Sequence, residues 1–251
     1  MKRICFALVL ILLLRAGSVV SQEDSLQVAA QAEAAYSAGD YANAINLYEA
    51  LVAGGARDYR VYFNLGNAYY QARNLGMALL NYRRAQQLAP RDSDVLSSIS
   101  LVRSHRVDVL GDETPLLDSL AAFSMGFATP DELSWMTFLL WFGLFGLLLA
   151  AVVRPDWRSH LRLPIVVVGV LFAVCAVLMG GRLWAEGYRP PAVVVVANAG
   201  VVSGAGDDYV EIYRLSAAAE LRVLERRGGW VRFVLPDERQ GWLPETVIAM
   251  I

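Results

Sequence analysis

The chain has 251 residues, 56% of them hydrophobic and only 18% charged, a balance that points to a membrane protein. Its 22 basic and 24 acidic residues leave a formal net charge of −2, with no strongly basic region, so the footprint of a nucleic-acid binder is missing. Cys5 and Cys175 are the only cysteines and both sit in apolar segments, which argues against a disulfide framework or a cysteine metal site.

The N-terminus, "MKRICFALVLILLLRAGSVVSQEDS", has a basic start (Lys2, Arg3), an apolar run (Ile4–Leu14) and small residues after it. That is the pattern of a secretory signal peptide over residues 1–21, with Val19/Ser21 or Ala16/Ser18 as the pair before the cleavage point. A retained anchor is the alternative, and in both cases Gln22 onward lies outside the cytoplasm.

Residues 25–106 read as helices joined by short turns, with a repeat of period 34. "GDYANAINLYEAL" (39–51) aligns with "RNLGMALLNYRRA" (73–85), so that Ala44 falls on Ala78 and Tyr48 on Tyr82. Small residues at Gly66, Ala78 and Ala85 allow two antiparallel helices to pack closely, with aromatics filling the gaps. The stretch "YFNLGNAYYQARNLGMALLNYRRAQQLAP" (62–90) resembles a tetratricopeptide repeat, with Leu65-Gly66, Tyr69, Ala78, Tyr82, Ala85 and Pro90 at signature positions. The preceding repeat is poorer, keeping Gly39, Ala44 and Tyr48 but carrying Ala32 and Ala35 at two signature sites. "SDVLSSISLVRSHR" (93–106) is expected as a capping helix, started by Ser93 or Asp94. By the family's register, Arg60, Phe63, Asn67 and Tyr70, with Glu33 and Tyr36 from the first repeat, line a groove that suits an extended peptide or a chain terminus.

Residues 107–132 hold six acids and no base, read either as a linker or as a short interfacial helix. "TPDE" (129–132) is a helix start, with Thr129 as N-cap, Pro130 at the first position and Glu132 at the third. Residues 133–153 are uncharged and long enough to cross a bilayer, and 164–184 form a second such run. Between them, residues 154–163 carry Arg154, Arg158 and Arg162 against Asp156. Short arginine-rich loops stay cytoplasmic, which places both the repeats and the C-terminal part outside.

From residue 190 to 251, short β-rich runs alternate with turns, as in a small barrel. "GGWVRFVLPDERQGWLP" (228–244) resembles the end of a bacterial SH3-like domain, with "PETVI" as a single 3₁₀ turn before the last strand. The family's usual "N-V-R-S-G-P" element is replaced by "GVVSGAG" (200–206). Tyr209, Tyr213 and Trp230 are candidates for an aromatic ligand strip; the competing reading makes Trp230 and Trp242 core and barrel-closing residues.

No catalytic constellation emerges: no HExxH, GxSxG, P-loop or strand-linked GxGxxG is present, and Lys2, the only lysine, leaves with the leader. His105 and His160 belong to segments that cannot meet, and Asp207, Asp208 and Glu211 read as a solvated loop rather than a cation site. The expectation is a non-enzyme without cofactor or metal. The fold class is a multidomain membrane protein: an all-α tetratricopeptide-repeat solenoid, a two-helix transmembrane hairpin and a small all-β SH3-like barrel. That order resembles the Bacteroides aerotolerance (Bat) operon family over nearly the whole chain. The resemblance implies a scaffold in the bacterial cytoplasmic membrane, in complex with von Willebrand A-type proteins and a MoxR-type ATPase and linked to envelope stress. The alternative is a cell-wall protein gripping peptidoglycan through the SH3-like part.

Overall fold

A computed structural model describes residues 24–105 and 128–251. The expected leader and most of the acidic linker lie outside the described residues. The N-terminal part consists of α1 (24–37), α2 (Tyr41–Ala53), α3 (Tyr59–Gln71), α4 (Leu75–Leu88) and α5 (Ser93–Ser104). Short polar residues start them: the side chains of Asp40, Asp58 and Asn74 accept from the backbone N–H of Asn43, Arg60 and Met77. These N–H groups have no partner within their own helix, so the caps satisfy them. The cap of α5 is Asp92 rather than Ser93 or Asp94, because its carboxylate takes two donors, the N–H of Asp94 and of Val95, each at 3.0 Å.

Helices α3 and α4 cross at close range. A Cβ on Gly66 would stand 2.6 Å from Cδ1 of Tyr82, so only glycine fits there. Ala78 and Ala85 are fully buried in the same seam. Helix α4 is covered on more than this one side. Its other side rests on the C-terminal sheet, where a Cβ on Gly76 would lie 2.5 Å from the carbonyl oxygen of Val194. Val193 and Ala218 from the sheet join Leu79, Tyr82, Val95, Ile99 and Val102 in one buried cluster.

Polar contacts reinforce this docking. Glu220 accepts from Nε of Arg83 at 2.7 Å and from Nε of Arg103 at 2.8 Å. Nη2 of Arg84 donates to the carbonyl of Met250 at 3.0 Å. Burial by itself would raise the pKa of Glu220, but the two guanidiniums overcome it and hold the carboxyl below the usual range.

Two helices in the described residues are long and apolar enough to cross a membrane. The first, α6 (Pro130–Val153), starts with the expected capping box of Thr129 and Glu132. A 3₁₀ turn (Pro155–Trp157) leads into α7 (Arg158–Tyr188). Thus the helical rod begins inside the segment expected as loop and runs through Pro164. The ring of Pro164 removes one backbone donor just beyond the first turn, early in the helix. The two helices meet through Leu133, Leu140, Cys175, Leu178 and Met179. Buried Arg182 ties the far end of α7 to the start of α6, donating to the carbonyl of Ala128 at 3.1 Å. Arg91, in the turn before α5, bonds Glu132 at 2.7 Å and links the repeats to the same place.

The C-terminal part is a seven-stranded sheet: β1 (Pro191–Val194), β2 (Asn198–Val202), β3 (Glu211–Ser216), β4 (Glu220–Arg227), β5 (Trp230–Val234), β6 (Gln240–Pro244) and β7 (Ile248–Met250). All pairings are antiparallel, in the order β3-β2-β6-β5-β4-β1-β7, and the sheet does not close into a barrel. The hairpin β4–β5 turns on Gly228 and Gly229, both at positive φ (55° and 82°), as a tight two-residue turn requires. A 3₁₀ turn (Glu245–Val247) precedes the last strand, as the sequence predicts.

The core of the sheet includes Val201, Leu215, Leu221, Val231, Phe233 and Leu243. Trp230 and Trp242 are not in it; both are half-buried on the other face. The cause is strand alternation: Val231 and Phe233 on β5, and Leu243 on β6, take the inward positions, so the tryptophans point outward.

The docking of α4 on the sheet is tested by three substitutions. The pair is part-buried and Arg103 would still engage Glu220, so Arg83→Ala should lower the stability of the full chain by about 2 kcal/mol. Because folding depresses the Glu220 pKa, the ion-pair contribution is complete at neutral pH and is lost as pH falls below about 4. Glu220→Gln should remove that acid sensitivity, as read from thermal midpoints across a pH series in detergent. Separately, Gly76→Ala should loosen the sheet from the repeats, since the added carbon meets backbone. Gly143→Ala, where nothing lies within 4 Å, is the matched control; rapid cleavage by protease at residues 189–191 in the first variant alone is the expected readout.

Candidate functional site

With one side of the repeats covered by the sheet, the face carried by α1, α3 and α5 is the place to look for a binding site. The helix starts and the Gly66 crossing fix where α3 presents its side chains. Phe63 lies against Tyr82, ring centroids 5.8 Å apart. One turn along α3, Oδ1 of Asn67 accepts from the hydroxyl of Tyr82 at 2.8 Å. A further turn along, Tyr70 meets the ring of His105 edge-on at 6.1 Å. From the first repeat, Tyr36 packs on Tyr41 at 5.5 Å, and Glu33 is exposed.

These groups converge on Tyr82. Burial raises its pKa, and the nearby phenols of Tyr36 and Tyr70 push in the same direction, while a bond with Ser98 opposes them. Two of the six candidates, Phe63 and Asn67, therefore touch one buried phenol, and Tyr36 and Tyr70 act on it electrostatically. Glu33 stands one step away, close enough to act electrostatically on Tyr48, whose pKa is raised first of all by burial. Arg60 does not join them. Its side chain is exposed and is held by Asp58 of the preceding turn, with Nη2 to Oδ2 at 2.9 Å. Asp58 is both the cap of α3 and the partner of this guanidinium, which keeps its carboxyl below the usual range.

Sequence reasoning missed three contributors. Tyr82 was assigned to packing alone, yet its hydroxyl reaches through to Asn67. Ser98 and His105 come from α5, which was expected only to cap the stack. The signal was present, since Ser98 and His105 are seven residues apart on one helix face, but only a folded partner reveals which face that is. The resulting surface is aromatic and amide-rich. It has donors left on Nδ2 of Asn67 for an extended backbone.

The sheet candidates do not form one strip. Tyr209 is exposed beside Gly204, and Tyr213 donates its hydroxyl to the carbonyl of Gln240 at 3.2 Å. The guanidinium of Arg239 lies over the Tyr213 ring at 5.2 Å. Burial pushes the Tyr213 phenol up to about 12, against the lowering effect of Arg239. Trp230 is opposite Pro244, at the other end of β6 from Gln240. Four residues of strand separate those levels, about 13 Å. Glu211 is engaged by Arg214 at 2.6 Å and does not form a free carboxylate cluster with Asp207 and Asp208.

Residues 59–92, which comprise α3, α4 and the turn into α5, match the family model of the tetratricopeptide repeat. No curated protein matches the chain. The matched segment is the one that carries Phe63, Asn67, Tyr70 and Tyr82. The chain thus contains a tetratricopeptide repeat, and the candidate face is built largely from that repeat.

Proposed function

We propose that this protein is a non-enzymatic membrane-anchored scaffold whose repeats and C-terminal sheet both lie outside the cytoplasm. The observation that carries this reading is the matched repeat with one face open and aromatic while its other side is occupied by the chain's own sheet. Repeats of this kind hold extended segments of partner proteins through shape, backbone bonding and a few aromatic anchors.

Two features support the membrane part. Both flanks of the α6–α7 hairpin belong to the same docked body, which supports their lying on one side of whatever the hairpin enters. The turn at the opposite end bears Arg154 and Arg158, and the basic bias of short loops assigns such a turn to the cytoplasm. The Bat-type complex, with von Willebrand A-type proteins and a MoxR-type ATPase, is the biological setting that the order of parts suggests. The SH3-like assignment of residues 190–251 is supported by the tight β4–β5 hairpin and the 3₁₀ turn before β7. The alternative is a wall protein gripping peptidoglycan through residues 190–251; the missing "N-V-R-S-G-P" element counts against it, and the candidate aromatics lie at opposite ends of β6.

Partner capture is tested by crosslinking the intact protein in native membranes. Tyr70→Ala should reduce crosslinked partner at least tenfold, about the loss expected for one aromatic anchor, while the melting curve stays within a few degrees. Recovery of the protein alone would overturn the scaffold reading. Topology has its own test. Ser159→Cys should resist an impermeant thiol reagent added from outside, and react only after the membrane is opened.

A further inference from the structure

We propose that the junction between the repeats and the hairpin is a binding site for a phospholipid with a primary-ammonium headgroup, phosphatidylethanolamine. The inference rests on the membrane reading above and concerns a place separate from the peptide face. A cleft of about 480 Å³ opens where α6 leaves its cap, lined chiefly by Arg91, Asp131, Glu132, Trp135, Met136 and Leu139.

The lining is sorted by depth. Glu132, Trp135, Met136 and Leu139 follow each other at i, i+3, i+4 and i+7, so they share one face of α6. Leu139 lies about 10 Å further along the helix axis than Glu132. Charged groups thus stand at the top of the cleft and apolar groups below, with a tryptophan between. Trp135 is 64% exposed and Leu139 also 64%, which leaves room for an acyl chain against them. Tryptophan at this level is where the headgroup region of a bilayer would be.

The charges at the top select the headgroup. Arg91 spends one nitrogen on Glu132, at 2.7 Å, and keeps further N–H donors for a phosphate. Asp131 has no ion-pair partner among the described residues and lies on the same rim. One cation and two carboxylates make the rim net negative, which disfavours an anionic headgroup. A zwitterion answers both halves, with its phosphate on Arg91 and its ammonium on Asp131. A primary ammonium can donate hydrogen bonds to that carboxylate, whereas a quaternary one cannot.

The test uses the full chain in phosphatidylcholine nanodiscs containing one brominated-tail lipid at a time: phosphatidylethanolamine, phosphatidylglycerol or phosphatidylcholine. The contribution of Trp135 is the difference in quenching between the wild type and Trp135→Phe. Brominated phosphatidylethanolamine should quench it about threefold more efficiently than the other two, the size a half-exposed ion pair supplies. Asp131→Asn should abolish the preference, and Arg91→Gln should lower quenching by the brominated phosphatidylethanolamine toward that by the other two lipids. Equal quenching by the three lipids, a preference for the choline lipid, or a preference that survives in Asp131→Asn would overturn the proposal. If no tryptophan is quenched by any lipid, the membrane reading itself fails. Melting curves matched to the wild type guard the two charge variants against loss of fold.

Discussion

Glu220 sits between Arg83 and Arg103, and the arrangement of the whole molecule follows from that contact. A largely buried carboxylate is costly unless it is paired. Both guanidiniums come from the repeats, and the carboxylate comes from the first residue of β4. Around it, Gly76 lets α4 lie directly on the backbone of β1, and Val193 and Ala218 complete the repeat core. Repeat proteins draw their stability from neighbours, and two repeats with a cap are a short stack. Here the sheet occupies the place that a further repeat would fill. The repeats and the sheet are therefore one packed body, with the α6–α7 hairpin leaving from its side.

This explains why the open aromatic face of the repeats lies where it does. The sheet consumes one side of α4 and the outer side of α5 through Arg103. What remains is the face of α1 and α3, over which Tyr82 reaches from behind. The aromatic groups there are anchored by the same helix whose back is fixed on the sheet. A partner bound on this face and the hairpin below it are thus connected through α4 and the Arg91–Glu132 contact, without a flexible joint in between among the described residues.

Local rules carried the sequence reading far. The pattern of Gly66, Ala78, Tyr82 and Ala85 identifies the α3–α4 pair because those positions demand small or aromatic side chains at a helix crossing. Thr129, Pro130 and Glu132 mark the start of α6, and Gly228-Gly229 marks a tight hairpin. What could not be read was contact between distant segments. Arg83 and Glu220 are 137 residues apart, and nothing in the periodicity of either names the other. Trp230 was weighed for the core by size, but its parity on β5 turns it outward. Arg60 was placed in the groove by register, whereas its own cap residue, Asp58, holds it aside. The second uncharged run begins at 164, yet α7 starts at Arg158 and passes through Pro164.

The shared core also sets an order of events during synthesis. Helix α4 is translated more than a hundred residues before β1, so it must wait for the surface that covers it. During that interval Gly76 and Leu79 present a smooth apolar seat with two unpaired arginines beside it. Closing so long a loop is entropically slow. A chain that stops early, or whose hairpin is misplaced, keeps that seat open. The seat therefore marks unfinished molecules, and a chaperone or protease that recognises apolar surface can tell them from complete ones without reading the C-terminus at all.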